Sequence, residues 1–159
     1  MNVMSDIKTT SRSWYSADIK EFLQSDSNSI IGQLTKNCDF TLLSTQTNAW
    51  LEEITFFKEN LSGLNGSLFL EFNIPRMGRR IDAVLIINSV IIVIEFKVGE
   101  ISFTRAAIEQ VWDYALDLKN FHEASHTVPI IPILIATAAM TSVPFTLQED
   151  ADKVYRPIL

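Results

Sequence analysis

The chain of 159 residues carries a single cysteine, Cys38. One thiol excludes an internal disulfide framework and any cysteine-rich zinc site. No apolar run is long enough to span a membrane as a helix. The longest, residues 81–94, is interrupted by Asp82, Asn88 and Ser89. The first fourteen residues, MNVMSDIKTTSRSW, lack the apolar stretch of a secretory signal. These absences lead to the expectation of a cytoplasmic protein. No Walker-type glycine loop occurs, so these residues do not form a nucleotide-driven motor. No internal repeat or low-complexity segment is visible. Positive charge is scarce, and the net charge is −6. That argues against a surface built to coat nucleic acid, but leaves room for a local basic cleft.

What is present is a core. Hydrophobic residues make up 47% of the chain, and the length suits one domain, here residues 1–159. Ser16 is placed to cap a short helix ending near Gln24, and the Ser-Asp-Ser-Asn-Ser run caps a second helix over 30–36. Trp50, Ile54, Phe57, Leu61 and Leu64 form the stripe of a helix over 46–64. Glu53 lies about 60° around that helix from Trp50, and Glu52 points away. A strand is expected over 68–74, a hairpin over 80–97, a long helix over 103–123 and a strand over 128–136. Pro129 and Pro132 place that last strand toward an edge or at its start. The tail from Thr141 reads as loop, with a helical turn at 147–154. The order helix, three strands, helix, strand implies an α/β fold. It has an antiparallel meander and a helical crossover to a parallel fourth strand. The apolar end, VYRPIL, gives the expectation that a longer chain continues from here.

The hairpin carries the most chemistry. Asn88-Ser89 is a polar pair between two apolar runs, and a two-residue turn there sets Ile87 opposite Val90. Counting back along both strands, Asp82 faces Glu95 and Arg80 faces Lys97. Facing Cβ atoms sit about 4.5–5.5 Å apart, and like charges so placed destabilise a sheet. A cation resolves the conflict. Hard oxygen donors suit Mg²⁺ or Mn²⁺, with the Phe96 carbonyl as a further donor. Lys97 is then placed to orient water and stabilise charge on a phosphate. Gln110 and Tyr114, four residues apart on the next helix, reach toward the same end. The acid completing the site is Glu53 or Glu71; the alternation of its strand makes Glu71 a solvent-facing residue. The plain alternative is an ordinary amphipathic hairpin with a solvated Glu95–Lys97 edge.

Three further groupings stand out. Arg76, Arg79 and Arg80 cluster before the hairpin, with Arg105 nearby in sequence, and guanidinium groups suit phosphate. His122-Glu123-Ala124-Ser125-His126 satisfies the HExxH zinc-protease pattern. That chemistry needs one continuous helix, and Pro129 follows too soon, so His122 reads as a helix-end residue. Ile108, Trp112 and Leu116 form a second apolar face on the long helix. It serves packing against the N-terminal helices or docking of a missing domain or second copy.

Arg80-Ile81-Asp82, twelve intervening residues and then Glu95-Phe96-Lys97 resemble the PD-(D/E)xK nuclease superfamily, and Gln110 to Tyr114 resembles the QxxxY pattern of several of its branches. Ile81 stands where that superfamily's motif carries proline. The resemblance implies a restriction-endonuclease-like αβββαβ core with a mixed four-stranded sheet. It implies Asp82 and Glu95 as metal ligands, Lys97 as the catalytic lysine, and Gln110 and Tyr114 as supporting residues. The segments WYS, IIGQL, IPRMGRRID, IEFKVGE, QVWDYALDLKNFH and VPIIPILIAT are similar to the N-terminal nuclease-like domain of bacterial Schlafen group 3-like DNA/RNA helicase proteins. This implies a helicase in cis and a Mg²⁺- or Mn²⁺-dependent hydrolase of DNA phosphodiesters, with RNA as the other substrate. The alternatives are a catalytically silent module binding nucleic acid or a partner and, more remotely, the zinc protease.

Overall fold

A computed structural model describes residues 12–74, 77–140 and 145–159. The chain runs β1 (Ser13–Asp18), α1 (Ile19–Gln24), α2 (Ser27–Asn37), α3 (Ser44–Asn60), β2 (Ser67–Asn73), β3 (Arg80–Ile87), β4 (Val90–Lys97), α4 (Arg105–Phe121), a 3-10 turn (Glu123–Ser125), β5 (Ile130–Ala136), β6 (Glu149–Ala151) and β7 (Val154–Tyr155). One mixed sheet has the order β1-β2-β3-β4-β5-β7-β6. β1 to β4 are antiparallel neighbours, and β5 runs parallel to β4. Among the described residues, no helix is long and apolar enough to cross a membrane.

Two apolar layers hold the sheet. On one face, Phe22 of α1, Ile30 and Leu34 of α2, and Trp50, Ile54 and Phe57 of α3 pack on Leu68, Leu70, Ala83, Leu85, Ile94 and Phe96. On the other, Val111, Ala115 and Leu118 of α4 pack on Val84, Ile91, Val93 and Leu134. Trp50, Ile54 and Phe57 are fully buried, each contributing about 2–3 kcal/mol. Local chemistry sets the helix starts. The Asp26 carboxylate accepts from the Asn28 and Ser29 N–H groups at the start of α2, and the Thr104 hydroxyl accepts from Ala107 N–H at the start of α4. Lys58 of α3 donates to the Phe22, Leu23 and Ser25 carbonyls, fixing α3 against the end of α1. Gly66 lets β2 begin close to the end of β3, where a Cβ would collide with the Ile86 carbonyl oxygen.

Several expectations need correction. The sheet has seven strands rather than four. Residues 13–18 are a strand and the first helix starts at Ile19, because Ser13, Tyr15, Ser16, Ala17 and Asp18 find partners along β2. The tail forms the β6–β7 hairpin rather than a helical turn, with Asp152 and Lys153 both left-handed at its turn. α3 ends at Asn60, and Leu64 is exposed, so Leu64 is not part of its stripe. Pro132 lies inside β5, opposite Val93 on its β4 side, while its carbonyl accepts from Ile158 N–H at 3.0 Å. Its missing N–H is tolerated because β5 is only sparsely bridged on the side of the tail. Ile108 and Trp112 line a cavity of about 550 Å³ with Asp150, Arg156 and Pro157. That face therefore meets the C-terminal segment, not the N-terminal helices.

Candidate active site at the open end of the hairpin

The β3–β4 ladder has the register that the two-residue turn requires. Ile87 pairs with Val90 and Ala83 with Ile94, and Asn88 and Ser89 both take left-handed φ values of 49° and 63°. These are the angles of a type I′ turn, whose twist matches that of the strands. Beyond Ala83 and Ile94 the strands part. The Asp82 carboxylate takes over as acceptor for the Phe96 N–H, at 2.8 Å. β4 continues along β5 instead, with Lys97 beside Ala136. Arg80 consequently does not face Lys97 but pairs with Asn73 of β2.

β2 and β3 both change sides at an acidic residue. In β2, Leu68 and Leu70 belong to the layer of α1–α3, whereas Phe72 and Ile74 belong to the layer of α4. Glu71 between them has a left-handed φ of 53°. In β3, Ala83 and Leu85 lie on the α1–α3 side and Ile81 on the α4 side, so the switch falls at Asp82. The expectation that Glu71 faces solvent is therefore overturned: the residue is 8% exposed. Strict alternation predicted the wrong side because a left-handed residue breaks the two-residue period. A left-handed non-glycine residue costs roughly 1–3 kcal/mol and survives only where its surroundings hold it. Trp50 Nε1–H donates to Glu71 Oε1 at 2.9 Å, and Arg80 Nε stands 3.6 Å from Glu71 Oε2.

Four carboxyls therefore share one neighbourhood. Asp82 and Glu95 are close enough for each to perturb the other. Burial, then the charge of Glu95, pushes the Asp82 carboxyl well above the ordinary carboxylate range, against the pull of the Phe96 N–H. Burial also raises Glu95, against the charge and hydrogen bond of Lys97. Glu53 on α3 is 5% exposed and is raised well above its ordinary value by burial, then by Asp82, Glu71 and Glu95. Glu71 is pushed up to about 7, chiefly by burial, with the Trp50 bond opposing. Glu52 is exposed, as its helical phase requires.

A single chain of hydrogen bonds leads out of the carboxyl pair. Lys97 Nζ donates to Glu95 Oε1 at 3.0 Å and to Gln110 Oε1 at 2.8 Å, and Gln110 Nε2 donates to Tyr114 Oη at 2.8 Å. One turn of α4 brings Gln110 and Tyr114 to the same side. Burial raises the Tyr114 hydroxyl, with the Gln110 bond opposing. The ammonium has three N–H groups and these bonds use two.

The donors suit a hard divalent cation. Glu95 Oε2 is buried with no hydrogen-bond partner, an orphan that a cation would satisfy. Two buried carboxyls so close can coexist only by sharing a proton or a positive charge. Among the described residues, no group of three or more His, Cys, Asp or Glu side chains is placed to hold a metal ion. A two-carboxylate centre is the arrangement Mg²⁺ accepts, since it keeps several waters.

No family model matches this chain, and no curated protein or solved structure matches it either. The chemistry of the site therefore rests on its own residues.

The arginines are differently placed. Arg76 lies outside the described residues. Arg79 is half exposed and stands 3.7 Å from Asp117 on α4. Arg80 is held between Asp39, at 3.3 Å, and Glu71. Arg105 is exposed and pairs with Glu109 along α4 at 2.7 Å. The HExxH reading fails on geometry. α4 ends at Phe121, His122 is extended with φ −113° and ψ 109°, and a 3-10 turn separates it from His126. His122 Nδ1 meets Ser125 Oγ at 2.8 Å, whereas His126 Nε2 meets the Asn120 carbonyl. Sequence reasoning missed Trp14, Asp39 and Phe40, which surround Arg80. Only the pairing of β1 with β2 and the docking of the 38–43 loop bring them there, and neither leaves a local signal.

Proposed function

We propose that this chain is a metal-dependent nuclease domain of the PD-(D/E)xK type, hydrolysing phosphodiester bonds of DNA or RNA. Its core would be the restriction-endonuclease-like αβββαβ unit made by α3, β2, β3, β4, α4 and β5, with β1 and the β6–β7 hairpin as additions. The observation that carries this reading is Glu95 Oε2, buried and unpartnered, with Lys97 bonded to the other Glu95 oxygen and the buried Asp82 carboxyl held beside it by the Phe96 N–H. Asp82 and Glu95 would hold Mg²⁺ or Mn²⁺. A cation there supplies a more acidic water and neutralises charge on the phosphate. Lys97, fixed between Glu95 and Gln110, directs its remaining N–H at the attacked phosphate or the incoming water. Gln110 holds Lys97 in place, and Tyr114 fixes which way the Gln110 amide points. Glu53 adds a buried carboxyl near the fork, whose charged form a cation there would favour. Arg79 is exposed enough to reach a phosphate. The segments that resemble the Schlafen group 3-like proteins support a helicase or ATPase working in cis, and the single cysteine supports a cytoplasmic setting.

The test is cleavage of single- and double-stranded DNA and of RNA with Mg²⁺ or Mn²⁺. Asp82→Ala, Glu95→Ala and Lys97→Ala should each lower the rate by at least about a hundredfold. Unchanged cleavage in all three variants would sink the reading. A second reading is a catalytically silent binding module, favoured because no three His, Cys, Asp or Glu side chains among the described residues are placed to hold a metal ion together. Calorimetric titration with Mn²⁺ separates the two. The nuclease binds Mn²⁺ and Asp82→Asn weakens that binding, whereas the silent module binds nucleic acid without metal.

A further inference from the structure

Beside the carboxyl site stands an aromatic surface. Phe40, in the loop between α2 and α3, is 45% exposed. Its ring lies 5.6 Å from that of Trp14 in β1, tilted by 51°. The guanidinium of Arg80 lies over both, 4.2 Å from the Trp14 centroid and 5.5 Å from that of Phe40. Trp14 is itself braced edge-on by Trp50, at 6.1 Å. The loop is tied down at both ends of the cluster. Asn37 Nδ2–H donates to the Trp14 carbonyl, and Cys38 Sγ–H donates to the Phe40 carbonyl. Arg80 also reaches Glu71, whose carboxyl senses Asp82. The exposed ring is thus linked to the acidic fork through two side chains, Arg80 and then Glu71.

The charges nearby bear on what this surface can hold. Arg79, Arg80 and Arg105 each pair with an acid of the chain itself, and the chain carries a net charge of −6. Duplex DNA, with about one charge per 1.7 Å of axis, gains little from such a surface. An unpaired base gains from aromatic and guanidinium planes whatever the net charge.

Resting on the nuclease reading, we infer that Phe40, with Trp14 and Arg80 behind it, is a stacking platform for an unpaired nucleobase, and that the substrate is a single strand or a frayed end. The base is held on Phe40 while its neighbouring phosphodiester lies toward Asp82 and Glu95. Binding then depends only weakly on salt, because few counterions are released.

The test uses the full chain in EDTA, with fluorescein-labelled single-stranded DNA, single-stranded RNA of the same sequence and duplex DNA, read by anisotropy. Phe40→Ala and Phe40→Leu should weaken single-strand binding about tenfold or more, and Phe40→Trp should keep it. Duplex binding should be weaker from the start and change little. The DNA and RNA arms show which sugar the site accepts. Phe40→Ala binding single strands as tightly as the unaltered chain overturns the platform, as does an equal loss for single strands and duplex. So does failure of the unaltered chain to bind any single strand. Cleavage with Mg²⁺ is scored separately. Cleavage that ignores Phe40 leaves the nuclease reading standing without the platform, and Phe40-dependent binding without cleavage does the reverse.

Discussion

At its turn, the β3–β4 hairpin is built as an isolated hairpin would be. Asn88 and Ser89 take the left-handed angles of a type I′ turn, the register holds from Ile87 and Val90 to Ala83 and Ile94, and apolar residues fill both faces. A few residues away, the same two strands break most of those rules. The ladder gives way to a side-chain acceptor, two buried carboxyls perturb each other, and one buried carboxylate oxygen has no partner. On the adjoining strand, a left-handed Glu71 switches the faces. The turn end follows the ordinary rules of a hairpin. The open end gives stability away, and the departures converge on one cluster of acids, which is the pattern of a functional site.

The sharpest way to break that comparison is to treat the two ends alike. Glu95→Ala or Lys97→Ala at the open end should abolish Mg²⁺-dependent cleavage, a loss of at least about a hundredfold. Equivalent loss on changing Asn88 would mean that the ends do not differ in role.

The next effect is on stability. Glu71 binds its proton more tightly folded, at about 7, than at its ordinary value of 4.5. The folded state therefore holds the extra proton between those values. Its contribution is full below pH 4.5 and is lost as pH rises through 7, amounting to about 3 kcal/mol. The metal-free protein should melt at a higher temperature at pH 5 than at pH 8, and Glu71→Gln should flatten the difference. A melting temperature that is level across this range, or an unchanged slope in Glu71→Gln, counts against the buried acid.

Smaller still, Glu53→Gln removes a buried carboxyl that resists ionising and should stabilise the protein at pH 8 by about 0.5–2 kcal/mol while weakening Mn²⁺ binding. A gain in stability with undiminished Mn²⁺ affinity would detach Glu53 from the site. At the turn, Ser89→Gly relieves a left-handed side chain and should add about 0.5–1 kcal/mol without touching cleavage. Thermal unfolding and a parallel cleavage assay read both.

Much of this was legible in the chain. Alternation and the polar pair at 88–89 placed Asp82 and Glu95 together. The helical stripe of α3 separated Glu53 from Glu52, and the four-residue spacing aligned Gln110 with Tyr114. Other parts were not legible. Residues 13–18 read as the approach to a helix, since what makes them a strand is β2, some fifty residues away. Glu71 read as solvent-facing because a period of two assumes that every residue stays extended. Arg80 read as a free cation, yet its ion pairs come from α2's trailing loop and from β2.

The sequence by itself determined the hairpin, its turn and the register as far as Ala83 and Ile94, the residues next to Asp82 and Glu95, because a two-residue turn and a period of two are local and need nothing else to fix register. Only the tertiary structure decided what surrounds the two acids. Folding the strands apart at Asp82 and turning Glu71 into a left-handed conformation brought acids from α3 and β2 to the fork. Stacking Arg80 on Trp14 and Phe40 set an aromatic surface beside it. Those outcomes depend on contacts between distant segments and on backbone angles that overrule alternation, and no local pattern encodes either.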